Sequence, residues 1–260
     1  MLLLKLCLWI LLLALSTVAK GNDVEFSSSF LTKSDAVRQG CEFHRLKNTN
    51  TSSCVLRKFI GHDLVLAVYD PSPDGQWLQA ERLSVTSWYN KAKVAYLDIL
   101  GNGVDFIRVD FEGNTGSGTS QQIRTLIGWR EGKFQPVLIE TTNFYEYEKG
   151  FKKELSMRYK SRKHGAEEVS LDLVYNFSKQ TPVGTNKKTW TESLKWNKSS
   201  FSFYNEEEQG GKSGEGDTVI KGNISAARRN LLRLLPEIKN VSINVDLLNQ
   251  VGLMQVLDGD

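Results

Sequence analysis

Lys152, Arg158, Lys160 and Arg162 fall on one parity of a short stretch, with Lys149, Lys153 and Lys163 beside them. Successive side chains of a β-strand point to opposite faces, so the first four would form one outward stripe. A stripe of that kind can hold an anionic glycan, a phosphate-bearing lipid head or an acidic protein. Glu154 shares the face, and Glu168 and Asp172 would point outward from the next run. Cross-strand ion pairing is therefore the competing use of the same charges. Cys41 and Cys54 offer a second chemistry. An even pair in an oxidising compartment forms a disulfide, which over so short a loop contributes ~3 kcal/mol. A zinc site wants about four ligands, and His44 is the one soft donor nearby.

Catalytic patterns are missing from the sequence. His44, His62 and His164 are its only histidines, and it has no H-E-x-x-H, G-x-S-x-G or P-loop pattern. A glycosidase needs two converging carboxylates, which can come from anywhere in a chain. Trp77, Trp88, Trp129, Trp190 and Trp196 could stack on sugars, but Trp129, Trp190 and Trp196 sit at core-compatible positions.

Asp98-Ile-Leu-Gly-Asn-Gly-Val-Asp-Phe-Ile-Arg-Val109, continued by Gly116-Ser-Gly118, the strand through Trp129 and the Gly-Lys-Phe134 step, resembles a known hairpin. It is similar to the D-x-[DN]-G-D-G-x-x-[DE] hairpins of FG-GAP/VCBS-type repeats, the blades of integrin-like β-propellers. The resemblance covers residues 93–142 and has no second copy in the chain. It implies a local hairpin of that style, with Asp98, Asn102 and Asp105 as calcium ligands. Leu100, Asn102 and Phe106 stand where the pattern has acidic positions. The remaining donors are few for an ion that takes roughly 6–8 oxygens, so no metal and no cofactor are expected.

The elements that would carry these groups follow from length and pattern. The chain has 260 residues, 40% hydrophobic and 24% charged, with a formal net charge of +3. That is a globular composition without the basic excess of a nucleic-acid binder. Met1-Leu-Leu-Leu-Lys5, an apolar run from Leu6 to Leu15 and Ser16-Thr17-Val18-Ala19 read as a secretory signal peptide over 1–19. The mature protein is expected to be exported, periplasmic or extracellular, with no transmembrane anchor after cleavage.

A segment with the Cys41–Cys54 bridge is expected over 20–58, with regular structure from Asp63 onward. Leu64–Tyr69 is a continuous apolar run ending in Asp70-Pro-Ser-Pro-Asp-Gly75 turn chemistry. Strands are expected at Lys93–Leu100 and Val104–Phe111 around an Asn102-Gly103 turn, and at Gln121–Trp129 and Lys133–Thr142 around Arg130-Glu-Gly132. Phe151–Ser161 and Glu168–Phe177 alternate cleanly and should pair through a turn near His164-Gly165. Two registers suit them: Lys160 opposite Glu168, or Arg158 opposite Asp172. Thr189–Trp196 and Ser200–Tyr204 form a last pair.

A flexible linker is expected over 206–222, and a helical segment over 223–260 with Ser225 and Asn244 as caps. The expected fold is mainly β from 59 to 205: an antiparallel meander, sandwich or partly closed barrel with two C-terminal helices. N-x-S/T acceptors stand at Asn50, Asn176, Asn197, Asn223 and Asn240. The function that fits is a non-catalytic binding or interaction protein with a protein or glycan partner. The alternative is a secreted hydrolase acting on polysaccharide or cell-envelope material.

Overall fold

The structure is a computed structural model and describes residues 29–164, 168–205, 219–235 and 241–255. The expected leader, the Gly-rich stretch from 206 to 218 and the turn at Gly165 lie outside the described residues. The protein is built from two sheets, and it is mainly β as its alternation implies.

The smaller sheet is 6-stranded. It contains β1 (Phe30–Leu31), β2 (Glu42–His44), β3 (Ser53–Ile60), β4 (Asp63–Pro71) and β5 (Trp77–Thr86), in the order β1-β5-β4-β3-β2. Strand β4 carries the run Leu64–Tyr69, buried at every position and flanked by paired neighbours on both sides. Regular structure starts well before Asp63, because β3 needs a partner on its far side and β2 supplies it. Helix α1 (Lys33–Arg38) opens on a Thr32/Asp35 capping box, which satisfies backbone donors that its short length leaves exposed. Cys41 and Cys54 are bonded across the β2–β3 hairpin, and Cys54 is fully buried beside Leu31, Ala36 and Tyr69. Replacing both cysteines by serine is expected to lower stability by about 3 kcal/mol in urea melts. Intact mass after alkylation without reduction should show no added label.

The larger sheet is 8-stranded, in the order β13-β12-β11-β10-β9-β8-β7-β6. Its strands are β6 (Ala92–Leu97), β7 (Phe106–Gly116), β8 (Thr119–Arg130), β9 (Lys133–Glu148), β10 (Phe151–His164), β11 (Glu168–Thr181), β12 (Gly184–Asn197) and β13 (Ser202–Tyr204). Glu131-Gly132 and Lys149-Gly150 hold positive φ and close two-residue turns, the geometry that suits the twist of a hairpin. The Asn102-Gly103 segment is not such a turn. It lies in a longer loop from Asp98 to Asp105, because β6 already ends at Leu97.

Strands β9 and β10 pair only over 143–148 and 151–156. Past Asn143 they separate, and each keeps one partner: β8 for β9, β11 for β10. On one face of β7–β8, Ile107, Val109, Ile123 and Ile127 join Leu66, Val68, Leu83 and Val85 of the smaller sheet in one core. Leu126 and its partner Leu138 lie on the opposite face and are also buried. The Tyr159 hydroxyl of β10 and the Tyr175 hydroxyl of β11 reach that face, at Arg108 and Glu140 respectively. This explains why β9 is buried continuously from Phe134 to Thr142 without period two.

The C-terminal segment adds its apolar side chains to the core. Helix α2 (Val219–Leu234) begins before the expected 223 boundary, so Ser225 is interior and caps nothing. It buries Ile220, Ile224, Ala227 and Leu231, spaced at helical period. β14 (Ser242–Ile243) adds a parallel bridge to β5. Helix α3 (Val245–Gln250) is capped as expected by Asn244, whose side chain accepts from the Leu247 N–H at 2.9 Å. Among the described residues, no helix is long and apolar enough to cross a membrane.

Candidate functional site

The outward stripe forms, and two of its four cations, Lys152 and Arg162, are held in ion pairs. Glu154 lies 2.7 Å from the Lys152 ammonium and holds it above the usual lysine value. Arg162 pairs with Asp172, and Lys160 stands opposite the same Asp172 in the ladder. Arg158 stands opposite Val174. The expected pairing of the two strands is present, but the register is displaced by four residues from Lys160 opposite Glu168 and by two from Arg158 opposite Asp172, which places His164 opposite Glu168. An even shift keeps every side chain on its face, so alternation could fix the face and not the partner.

The Asp98 loop uses its oxygens on its own backbone. Asp98 accepts from the Asn102 and Gly103 N–H groups at 3.0 Å each, and Asn102 accepts from Val104 N–H at 3.0 Å. Asp105 lies 3.4 Å from Nδ1 of His44, whose ring stacks on Tyr96. Burial, then the nearby Glu42 carboxylate, pushes the Tyr96 hydroxyl well up. Asp98, Asn102 and Asp105 thus serve a loop and a contact with the β2–β3 hairpin. Residues 93–142, which resemble a propeller blade, form part of the larger sheet here.

His62 sits in the turn between β3 and β4, and its carbonyl accepts from Ser87 N–H. Trp129, Trp190 and Trp196 pack against the core, while Trp88 is exposed.

Two arrangements emerge that single-strand reading missed. The first is buried. Arg228 of α2, Glu140 of β9 and Glu192 of β12 are each 2% exposed. The Arg228 guanidinium donates to Glu140, pairs with Glu192 at 2.5 Å and donates to the Tyr175 hydroxyl at 2.9 Å. Tyr175 donates to Glu140 at 3.2 Å, and the Trp190 indole N–H donates to Glu192 at 3.2 Å. Desolvation, then the Glu140 charge, raises the Tyr175 hydroxyl far above its ordinary value, so it stays a donor. The cluster ties the C-terminal helix to two halves of the sheet. Its signal was one charged residue on the apolar stripe of a helix, four positions after Ile224.

The second arrangement is exposed. Ladder registers align Gln122, Asn143, Ser156, Asn176 and Thr189 in one row across β8, β9, β10, β11 and β12. The row floors a solvent-open trough of about 610 Å³ that is walled by Tyr145, Glu154, Ser178 and Lys187. Asn143 Nδ2 donates to Gln122 Oε1 at 3.0 Å, and Thr189 Oγ1 donates to Asn176 Oδ1 at 3.0 Å. Each such bond uses part of an amide, leaving further donors and acceptors facing solvent. Glu154 is the one carboxylate among the described lining residues, and Lys152 holds it. No sequence pattern joins the row residues; only the registers bring them side by side.

The chain matches no protein-family model, no curated protein and no solved structure.

Proposed function

We propose that the protein is an exported, non-catalytic binding protein whose trough recognises a glycan. One observation carries this reading: a rigid cross-strand row of neutral amides and hydroxyls, open to solvent and beside the half-exposed ring of Tyr145. Polyhydroxylated ligands exchange hydrogen bonds with such groups in both directions, and a tyrosine ring suits the apolar face of a sugar. Strands lie ~4.8 Å apart, so a row crossing from β8 to β12 favours an extended ligand over a single small one.

Hydrolysis fits the trough poorly. Glycoside cleavage needs two carboxylates about 5–9 Å apart, and the described lining offers Glu154 alone. The Cys41–Cys54 bridge fits an oxidising compartment and so supports export.

The test is binding of the purified chain to an array of neutral and acidic oligosaccharides. Bacterial expression keeps the Asn176-Phe177-Ser178 acceptor bare. Asn143→Ala with Asn176→Ala should weaken binding by roughly thirtyfold, at about 1 kcal/mol per lost amide contact. Melting should be unchanged, since both side chains are exposed. Binding to no glycan, or binding that ignores both substitutions, refutes the reading. Release of reducing ends that depends on Glu154 would establish the hydrolase instead.

A further inference from the structure

We infer that the end of the larger sheet beyond the trough is a membrane-contact edge that inserts into anionic lipid surfaces. Registers set three turns side by side there. Tyr147 N–H donates to Gly118 O at 3.0 Å, so the β7–β8 turn lies beside Tyr147. Glu148 pairs with Phe151 around Lys149-Gly150, and Lys152 pairs with Gln180, one position before Thr181. Thr181 pairs with Gly184 around Pro182-Val183.

Three apolar side chains at this end are exposed: Val183 is 97% exposed, Tyr147 52% and Phe151 49%. By strand parity Tyr147 shares a face with Lys152, and Phe151 shares the opposite face with Glu148. Apolar groups therefore leave both faces and the tip of one thin edge. A protein partner covers one face of a sheet or pairs with a side strand; a fluid interface surrounds an inserted edge.

Five lysines are set back behind that tip in the same two-sided way, and a sixth stands in one of its turns. Lys152 and Lys187 lie on the outer face, and Lys153, Lys179 and Lys188 on the inner face, with Lys149 in the turn itself. Lys187 is four residues behind Val183, or about 13 Å along a strand. Glu146, Glu148 and Glu154 oppose them, with Glu146 at 3.7 Å from Lys153 and Glu154 at 2.7 Å from Lys152. Lysines outnumber glutamates at this end. An apolar tip with a collar of lysines reproduces the order of a bilayer surface, with acyl chains inside and anionic head groups outside. The flexible lysine stems reach those heads while aromatic rings settle at the interface. This inference rests on the edge alone and stands independently of glycan binding in the trough.

The experiment is co-sedimentation of the purified chain with vesicles of phosphatidylcholine containing about one third phosphatidylglycerol, against vesicles of phosphatidylcholine alone. Wild type should partition onto the anionic vesicles at least about tenfold better, and salt should weaken it. Tyr147→Ser with Phe151→Ser should lower partitioning at least about tenfold, as should Lys149→Glu with Lys179→Glu. Soluble glycerophosphate should not compete, which separates a lipid surface from a free phosphate. The trough variant Asn143→Ala with Asn176→Ala should partition like wild type. Each variant should melt with wild type, because the altered side chains are wholly or partly exposed. No partitioning, indifference to phosphatidylglycerol, or no effect of either tip pair overturns the inference. Partitioning lost only through the lysine pair overturns insertion.

Discussion

Arg228→Leu is expected to lose about 3–5 kcal/mol of stability, enough to release or unfold the C-terminal segment in mild urea. The substitution keeps volume and helix propensity but leaves Glu140 and Glu192 buried without their shared cation. Desolvating a carboxylate is costly, and here the repayment comes from the ion pairs to one guanidinium together with the Tyr175 and Trp190 donors. Glu140→Gln with Glu192→Gln in the Arg228→Leu background should recover part of the loss, because it removes the uncompensated charge. A urea midpoint for Arg228→Leu that moves by less than about 1 kcal/mol equivalent would show that the cluster does not anchor the helix. Protease sensitivity near Val219 should rise in parallel, since the same contacts hold α2 on the sheet.

Leu171→Asp should unfold the protein outright. Leu171 is fully buried on β11 in the apolar core, and the buried Arg228 is already engaged by Glu140 and Glu192. Burying an unpaired charge exceeds the few kcal/mol by which a domain of this size is stable. Arg158→Ser on the adjacent strand is the matched control. It is exposed opposite Val174, and should cost less than about 1 kcal/mol. If Leu171→Asp still melts cooperatively near wild type, the assignment of faces in β10 and β11 is wrong. If Arg158→Ser keeps its stability yet loses glycan binding, the site lies on the basic stripe and not in the trough.

The two contrasts separate what a strand's pattern can and cannot encode. The buried face of β11 was legible because Val169, Leu171, Leu173, Tyr175 and Phe177 recur at every second position, with Ser170, Asp172 and Asn176 among the residues between them. Its partner residues on β10 were not, because steps of two leave the pattern unchanged. Strand β9 shows the reverse case. Its run Phe134–Thr142 is buried on both faces, so it carries no alternation, and Glu140 inside it gave no sign of facing Arg228.

By itself the sequence determined the β class, the strand pair Phe151–Ser161 with Glu168–Phe177, the Cys41–Cys54 bridge and the Asn244 cap. Each of these depends on neighbours within one or two elements: side-chain parity, a short loop, a capping hydroxyl or amide. Tertiary structure alone decided the rest. The separation of β9 from β10 brings Tyr175 over Glu140; the helix places Arg228 between Glu140 and Glu192; and the registers line Gln122, Asn143, Ser156, Asn176 and Thr189 into one row. Those residues are tens of positions apart, and what joins them is the free energy of burying apolar faces together. That term is blind to which polar residues it carries along, so no local pattern records them.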